Sequence, residues 1–156
     1  MGAKRERKGF TLVELIVVMV IISVLAVVAV PIVETTIKRE REILLRRNLR
    51  TIRTALDEYK KFVEKHKVEV DEDTHGYPEE LKQLVEGVEY KDKKGNEKIK
   101  KFLRRIPVDP MTNSLEWGLR SYQDKPGSSQ WGGENVWDVY SKSEAKALDG
   151  TYYKDW

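Results

Sequence analysis

The stretch GFTLVELIVVMVIISVLAVVAVP, residues 9–31, decides the architecture that the rest of the chain must accommodate. Residues 15–33 are 19 positions without a charge, among which Ser23 is the only polar side chain. A helix of that length, rising about 1.5 Å per residue, is just long enough to cross the hydrocarbon core of a membrane. Glu14 stands at the start of this apolar run, where a carboxylate in lipid costs roughly 2.5 kcal/mol or more. The sequence therefore predicts a membrane-length helix with a carboxylate that needs a partner.

Two ordinary kinds of N-terminal segment share this apolar run. A cleaved secretory signal fits the basic leader at residues 4–8, but the run is longer than a usual signal core and residues 26–29 make a poor cleavage site. A plain membrane anchor fits the length, and the basic leader favours a cytoplasmic N-terminus. Basic residues also follow the run, from Lys38 onward, so charge alone orients the segment weakly. Neither kind of segment explains Glu14.

Composition narrows the classes of protein. The chain has 156 residues, of which 35% are charged and 40% hydrophobic, so the part after the apolar run is a small polar domain with a modest core. Residues 1–9 hold four of the 29 basic residues and one of the 26 acidic ones, so the remainder carries 25 of each. This balance argues against a nucleic-acid binder, which has a surplus of basic charge. The sequence has no cysteine and only two histidines, His66 and His75, so no catalytic constellation emerges and we predict that the protein is not an enzyme.

A helical stripe follows the apolar run. Apolar residues recur there at steps of four and three, which is the spacing of one helix face: Leu45, Leu49, Ile52, Leu56, Tyr59 and Val63. Between Pro31 and about residue 66 the sequence has no stop signal, so we predict one helix from residue 10 to about residue 65. Its first half is expected to be buried in lipid or in a filament. Its second half is expected to form the spine of the soluble domain and to pack against that domain rather than in a coiled coil.

The remaining sequence predicts a few short elements. Residues 78–86 begin with proline and read as a short helix, and residues 98–105 fit either a short helix or a strand. Residues 136–141 alternate as a strand does, and residues 119–122 could pair with them across a Gly- and Pro-containing loop. We therefore expect an α+β fold in which a long N-terminal helix, with a transmembrane half and an amphipathic half, packs on a small antiparallel β-sheet.

The segment GFTLVEL, residues 9–15, between a basic leader and an apolar run, resembles the class III signal of type IV pilins and type II secretion pseudopilins. The resemblance implies that a prepilin peptidase cuts after Gly9 and that the new N-terminal Phe10 is N-methylated. The cut creates an α-amino group, which in a filament could pair with Glu14 of a neighbouring subunit and so compensate a buried charge. Pairing of Phe10 with Glu14 within one chain, one helical turn apart, is the alternative. For Pro31 the resemblance implies a site where the filament helix bends or locally melts, and a simple helix kink is the alternative.

Later segments extend the resemblance. GYPEELKQLVEG, IPVDPMTN and WDVYS with LDG are similar to successive landmarks of the major pseudopilins of type II secretion, although Met111 and Thr112 stand where that family commonly has Trp-Gly. The resemblance implies a homopolymer that also works with minor pseudopilins, an inner-membrane assembly platform and the membrane itself, and with no nucleic acid. It implies a single-pass protein of the bacterial inner membrane whose soluble domain lies in the periplasm and assembles into a periplasmic pseudopilus.

Major pseudopilins typically hold calcium in the C-terminal loop, here residues 143–156, and calcium takes about six to eight oxygen ligands. Carried over residue by residue, the resemblance implies a calcium site with carboxylate ligands from Asp149 and Asp155, the carbonyl of Lys142, and the side-chain oxygens of Ser143 and Thr151. The acidic cluster is thinner than in the family, and Lys146 and Lys154 lie within it. The alternative is a loop without an ion, held by aromatic side chains that pack back on the sheet: Tyr152, Tyr153 and Trp156. No other cofactor is expected.

These predictions divide the chain into a leader at residues 1–9, a transmembrane and filament-core helix at residues 10–33, and a soluble pilin-like domain at residues 34–156. The predicted function is that of a structural subunit of a type II secretion pseudopilus, which polymerises through its N-terminal helix to drive protein export. A type IV pilin of an extracellular fibre is an alternative, although such pilins usually close a C-terminal loop with a disulfide and this chain has no cysteine. A membrane-anchored binding domain is the other alternative.

Overall fold

The computed structural model describes residues 9–92, 95–125, 127–128 and 130–156, with the main chain alone for residues 28–32. The chain divides into two compact units, one ending at Lys38 and the other spanning Arg39–Trp156. In chain order the elements are α1 (Leu12–His66), a 3-10 turn (Glu72–Thr74), α2 (Gln83–Glu86), β1 (Val88–Lys91), β2 (Glu97–Lys100), β3 (Gly118–Arg120), β4 (Asp138–Tyr140) and a second 3-10 turn (Tyr153–Asp155). Of the predicted leader, all residues except Gly9 lie outside the described part of the chain.

The predicted long helix is confirmed as one continuous helix, which passes through Pro31. It begins two residues later than predicted because Thr11 caps it. The Thr11 hydroxyl accepts a hydrogen bond from the Glu14 backbone N–H at 3.2 Å, and the Thr11 carbonyl accepts from the Leu15 N–H at 3.2 Å. The helix ends at His66, before Lys67 takes a left-handed conformation with φ 49°.

The first unit carries exposed apolar side chains. Each large apolar residue between positions 10 and 27 is between 43% and 78% exposed. The Ser23 hydroxyl donates to the Met19 carbonyl at 2.8 Å, so the helix itself satisfies this polar group. Within the residues that the structure describes, no helix combines the length and the apolar character needed to cross a membrane. The transmembrane half of α1 stays a prediction.

The amphipathic half of α1 lies in the second unit and forms the spine of its core, as predicted. The six residues of the apolar stripe are at most 5% exposed, and Leu45, Ile52 and Leu56 are fully buried. One hydrophobic cluster joins them to Leu84 of α2 and Val139 of β4, together with other buried residues of the domain. Burial of this kind stabilises a domain by roughly 1.5–3 kcal/mol for each fully buried large side chain.

The predicted pairing near the C-terminal half of the domain is confirmed. Strands β3 and β4 are antiparallel, with Gly118 opposite Tyr140 and Arg120 opposite Asp138. A Cβ atom added at Gly118 would overlap the Tyr140 ring, so glycine is required where this ring crosses the strand. A second two-stranded antiparallel sheet, β1 with β2, was not predicted. The α+β architecture, a long helix packed on small antiparallel sheets, is therefore confirmed with two small sheets instead of one.

The predicted helix at residues 78–86 is mostly wrong, since only its last turn, α2, is helical. In a helix starting at Pro78 the proline carbonyl would accept from the N–H four residues later. Here the Pro78 carbonyl accepts from the Val136 N–H at 2.7 Å, and the Glu79 N–H donates to the Gln83 side chain at 2.9 Å. One bond to a distant segment and one to a nearby side chain thus replace the first helical turn.

Residues 98–105 are a strand only as far as Lys100. After it the chain turns toward α2, because the Phe102 and Leu103 N–H groups both donate to the Leu84 carbonyl, at 2.9 and 2.8 Å. This shared acceptor ties the second strand of the β1–β2 hairpin to the buried end of α2.

Candidate functional site

The predicted cleavage site lies in a non-helical segment. Residues 9–11 precede α1, Gly9 is exposed, and Phe10 is 78% exposed. A Cβ atom added at Gly9 would meet no atom of the described chain within 4 Å. The peptide bond between Gly9 and Phe10 therefore lies in an exposed, non-helical segment. The cut at this bond stays a prediction.

Sequence reasoning missed a local reason for the Thr11–Glu14 pattern. Thr-x-x-Glu is the signature of a capping box, in which threonine accepts from the N–H of the glutamate and the glutamate carboxylate accepts from the N–H of the threonine. The structure contains the first of these bonds. The return bond from the carboxylate is not among the hydrogen bonds of the described residues. The cap therefore explains where α1 begins and leaves the Glu14 carboxylate for another partner.

Glu14 lies exposed in the first turn of α1, and among the described residues it forms no ion pair. Phe10 lies outside the helix, two residues before its first residue. Pairing of Phe10 with Glu14 within one chain, the alternative, stays a prediction, because the Phe10 α-amino group arises only after the cut. Pro31 belongs to α1, but its side chain lies outside the described side chains, so the predicted bend stays a prediction.

The C-terminal loop closes on itself. Lys146 and Tyr152 form an antiparallel bridge, the Ala147 N–H donates to the Thr151 carbonyl at 2.7 Å, and the Gly150 N–H donates to the Ala147 carbonyl at 3.1 Å. Gly150 has φ 87°, a left-handed conformation that glycine adopts without strain. Asp149 is thereby held at the tip of a tight turn.

Both carboxylate oxygens of Asp149 have donors. One accepts from the Thr151 hydroxyl at 2.6 Å and from the Thr151 N–H at 3.0 Å. The other lies 3.4 Å from a guanidinium nitrogen of Arg46, which is on α1. The hydrogen bonds from Thr151 lower the pKa of Asp149 below its usual range, and the positive charge of Arg46 adds to the effect.

The structure brings together only part of the predicted calcium set. Asp149, Thr151 and Asp155 line one cavity of about 680 Å³. Lys142 and Ser143, whose carbonyl and hydroxyl oxygens were predicted as ligands, are not among the residues that line this cavity, and the Ser143 hydroxyl accepts from the Ala145 N–H at 3.4 Å.

The same cavity is also lined by three arginines of α1: Arg46, Arg50 and Arg53. In the described part of the chain, no group of three or more His, Cys, Asp or Glu side chains could hold a metal ion. The residues present do not fit the oxygen-rich, anionic cage that calcium prefers.

A second set of contacts ties the loop to α1. One Glu42 carboxylate oxygen accepts from the Leu148 N–H at 2.8 Å and from the Tyr153 hydroxyl at 2.9 Å. Burial of Tyr153, together with this bond to Glu42, raises the pKa of Tyr153 to about 12. Among the aromatic residues expected to pack back, Tyr153 is 2% exposed and meets the Trp156 ring edge-on at 5.2 Å, whereas Tyr152 is 40% exposed.

Comparison with known proteins agrees with the N-terminal pattern. Residues 4–30, which include Gly9, Phe10 and Glu14, match the family model described as the prokaryotic N-terminal methylation motif. Over 121 residues the chain is 31% identical to the type II secretion system core protein G of Pseudomonas aeruginosa, covering 73% of this chain and 75% of that protein. No solved structure matches the chain.

Proposed function

Because the chain belongs to the family of the type II secretion system core protein G, a pilin-like group of secretion or pilus subunits, we propose that it is a structural subunit of a type II secretion pseudopilus. The subunit polymerises through the N-terminal part of α1, and growth of the polymer drives protein export. The chain has a mechanical and not a catalytic role. The energy for growth comes from another protein.

The exposed apolar surface of the first unit carries this proposal. A continuous apolar surface of this extent marks an interaction site, because soluble monomers rarely leave one open. Burying each large side chain completely contributes roughly 1.5–3 kcal/mol, so a run of them favours packing against the same helix of other copies or against lipid.

Glu14 sets the axial offset between neighbouring subunits of the polymer. Cleavage after Gly9 turns the Phe10 amide into an α-amino group, and N-methylation keeps its positive charge. A neighbouring subunit places this amine against Glu14, which has no ion pair within the described chain. Two charges that are each costly to bury become tolerable together, and only one axial offset between subunits brings them into contact.

The proposed location and partners follow from the family. The chain is a single-pass protein of the bacterial inner membrane, with its soluble domain, residues 34–156, in the periplasm. A prepilin peptidase processes it, and an inner-membrane assembly platform adds it to a homopolymer that minor pseudopilins complete. Calcium, which the family resemblance implied, has no part in this proposal.

The test is intact-mass spectrometry of protein from the native membrane, combined with recovery of filaments. We expect the wild type to start at methylated Phe10 and to assemble. Glu14→Ala should still be processed but should lose filaments, because the amine of the neighbouring subunit is left unpaired. Glu40→Ala is the matched control, since Glu40 is an exposed glutamate on the same helix beyond the apolar run, and it should assemble as the wild type does.

Other outcomes would point to other functions. Filaments on the cell surface instead of in the periplasm would identify an extracellular type IV pilus. A chain that still starts at Met1, with no filaments on overexpression, would indicate a membrane-anchored binding domain. Filaments in Glu14→Ala equal to those of the wild type would refute the pairing of Phe10 with Glu14.

A further inference from the structure

Arg46 of α1 lies beside the Asp149 carboxylate, at the tip of the C-terminal loop. Its guanidinium lies 3.4 Å from the Asp149 oxygen that Thr151 does not contact, and its central carbon lies 3.7 Å from the centre of the Trp156 ring. The Trp156 indole N–H in turn donates to the Thr151 hydroxyl at 2.7 Å. One side chain of α1 thus contacts the acid and the aromatic ring of the loop at once.

A calcium ion would have to displace this arrangement. Calcium binds carboxylate oxygens at about 2.3–2.6 Å, so an ion on Asp149 would lie within a few ångströms of a fixed positive charge. The cavity beside Asp149 has as many arginines as aspartates, and Arg53 within it donates to the Asp138 carboxylate at 2.6 Å and to the Trp156 carbonyl at 2.7 Å. Asp155 is the only other predicted acidic ligand in this cavity.

We propose that the C-terminal loop of this chain folds and stays closed without calcium, because Glu42 and Arg46 of α1 hold it. Glu42 accepts from the backbone of the loop at Leu148 and from Tyr153, and Arg46 neutralises Asp149. The Arg46 guanidinium provides the positive charge that an ion would bring. The stability of the second unit, Arg39–Trp156, therefore does not depend on the concentration of divalent cations outside the cytoplasm.

The experiment measures metal content and thermal unfolding of the full chain in detergent, in excess EGTA and in millimolar CaCl₂. We expect no stoichiometric calcium by elemental analysis, no terbium luminescence sensitised by Trp156, and the same melting temperature within about 1 °C in both solutions. Arg46→Gln should lower the melting temperature by about 2–4 °C, since an exposed ion pair and one cation–π contact are lost, and calcium should not restore it. Arg50→Gln, which removes an exposed arginine of the same cavity, should change it by less than about 1 °C.

Several results would overturn the proposal. These are calcium bound at one ion per chain, a melting temperature that falls by several degrees in EGTA, or an Arg46→Gln chain as stable as the Arg50→Gln control. The metal measurements on the wild type need no variant, so they stand even where Arg46→Gln fails to fold. None of these measurements depends on filaments or on cleavage at Gly9, so failure of this proposal and failure of the proposed function are separate results.

Discussion

A buried hydrogen bond between Asp109 and Ser141 joins two distant segments, IPVDP at residues 106–110 and WDVYS at residues 137–141. Both residues are fully buried, and the Ser141 hydroxyl donates to one Asp109 carboxylate oxygen at 2.6 Å. The other carboxylate oxygen accepts from the Met111 N–H at 2.8 Å. Ser141→Ala therefore removes the hydrogen-bond donor from one of the two oxygens of the buried Asp109 carboxylate.

The expected cost follows from the chemistry of the acceptor. A hydrogen bond to a charged group contributes about 1.5–3 kcal/mol, and a buried acceptor left without its donor loses the full amount. We expect Ser141→Ala to lower the free energy of unfolding by about 1.5–3 kcal/mol. The assay is urea unfolding of the full chain in detergent, followed by tryptophan fluorescence. Asp109→Ala and the double variant complete a thermodynamic cycle, in which the two losses should be less than additive by at least about 1 kcal/mol.

Ser114→Ala is the matched control. Its hydroxyl accepts an exposed bond from the Glu116 N–H at 3.0 Å, so the same chemical change should cost no more than about 0.5 kcal/mol. If Ser141→Ala costs no more than Ser114→Ala, or if the cycle closes with no coupling, then the bond does not stabilise the domain and the reasoning is wrong.

Four further predictions use unfolding of the same chain. Leu56→Ala, in the fully buried stripe of α1, should cost about 2–5 kcal/mol. Gly118→Ala should cost about 1–3 kcal/mol, because the added methyl group meets the Tyr140 ring. Arg53→Gln should cost about 1–2 kcal/mol, since its bonds to partly buried carboxylate and carbonyl groups are lost. Stability should fall between about pH 10 and pH 12, because the pKa of Tyr153 is raised from 10.0 to about 12, so the folded state keeps a proton that the unfolded state releases.

Three of these predictions have a control. Leu44→Ala changes a leucine of α1 that is 44% exposed, and a cost equal to that of Leu56→Ala would contradict the assigned core. Tyr140→Leu, combined with Gly118→Ala, should recover part of the stability that Gly118→Ala loses, because the ring that meets the added methyl group is gone. Tyr153→Phe should reduce the loss of stability at high pH, although burial also raises the pKa of Tyr59 and of Tyr77; an unchanged loss would assign it to groups other than Tyr153.

The sequence was most informative where one periodic pattern dominates. The stripe from Leu45 to Val63 predicted both the second half of α1 and the residues that line the core, because residues on one helix face share one environment. Alternation predicted the pairing of β3 with β4. The Thr11 cap was readable as Thr-x-x-Glu and was missed, because the same residues carried the family signal.

Contacts between distant residues account for what the sequence did not predict. The Pro78 carbonyl accepts a hydrogen bond from the Val136 N–H, so the first turn of the helix predicted at residues 78–86 does not form. Asp149 was predicted to bind calcium because the resemblance to major pseudopilins implies a ligand at LDG. The charge that pairs with it, Arg46, lies 103 positions away in the chain, where no local pattern connects the two.

The same long-range contacts set an order for folding. α1 forms from local bonds, but the bond between Glu42 and Tyr153 closes 111 positions of chain, and such closure is entropically costly and late. While the chain is being made, the stripe of α1 is therefore only partly covered until residues 136–153 have been synthesised. In that interval Leu56 and its neighbours form an apolar surface that is partly exposed to solvent. A chain halted before Val136 would consequently be a target for chaperones and proteases, although its longest helix is complete.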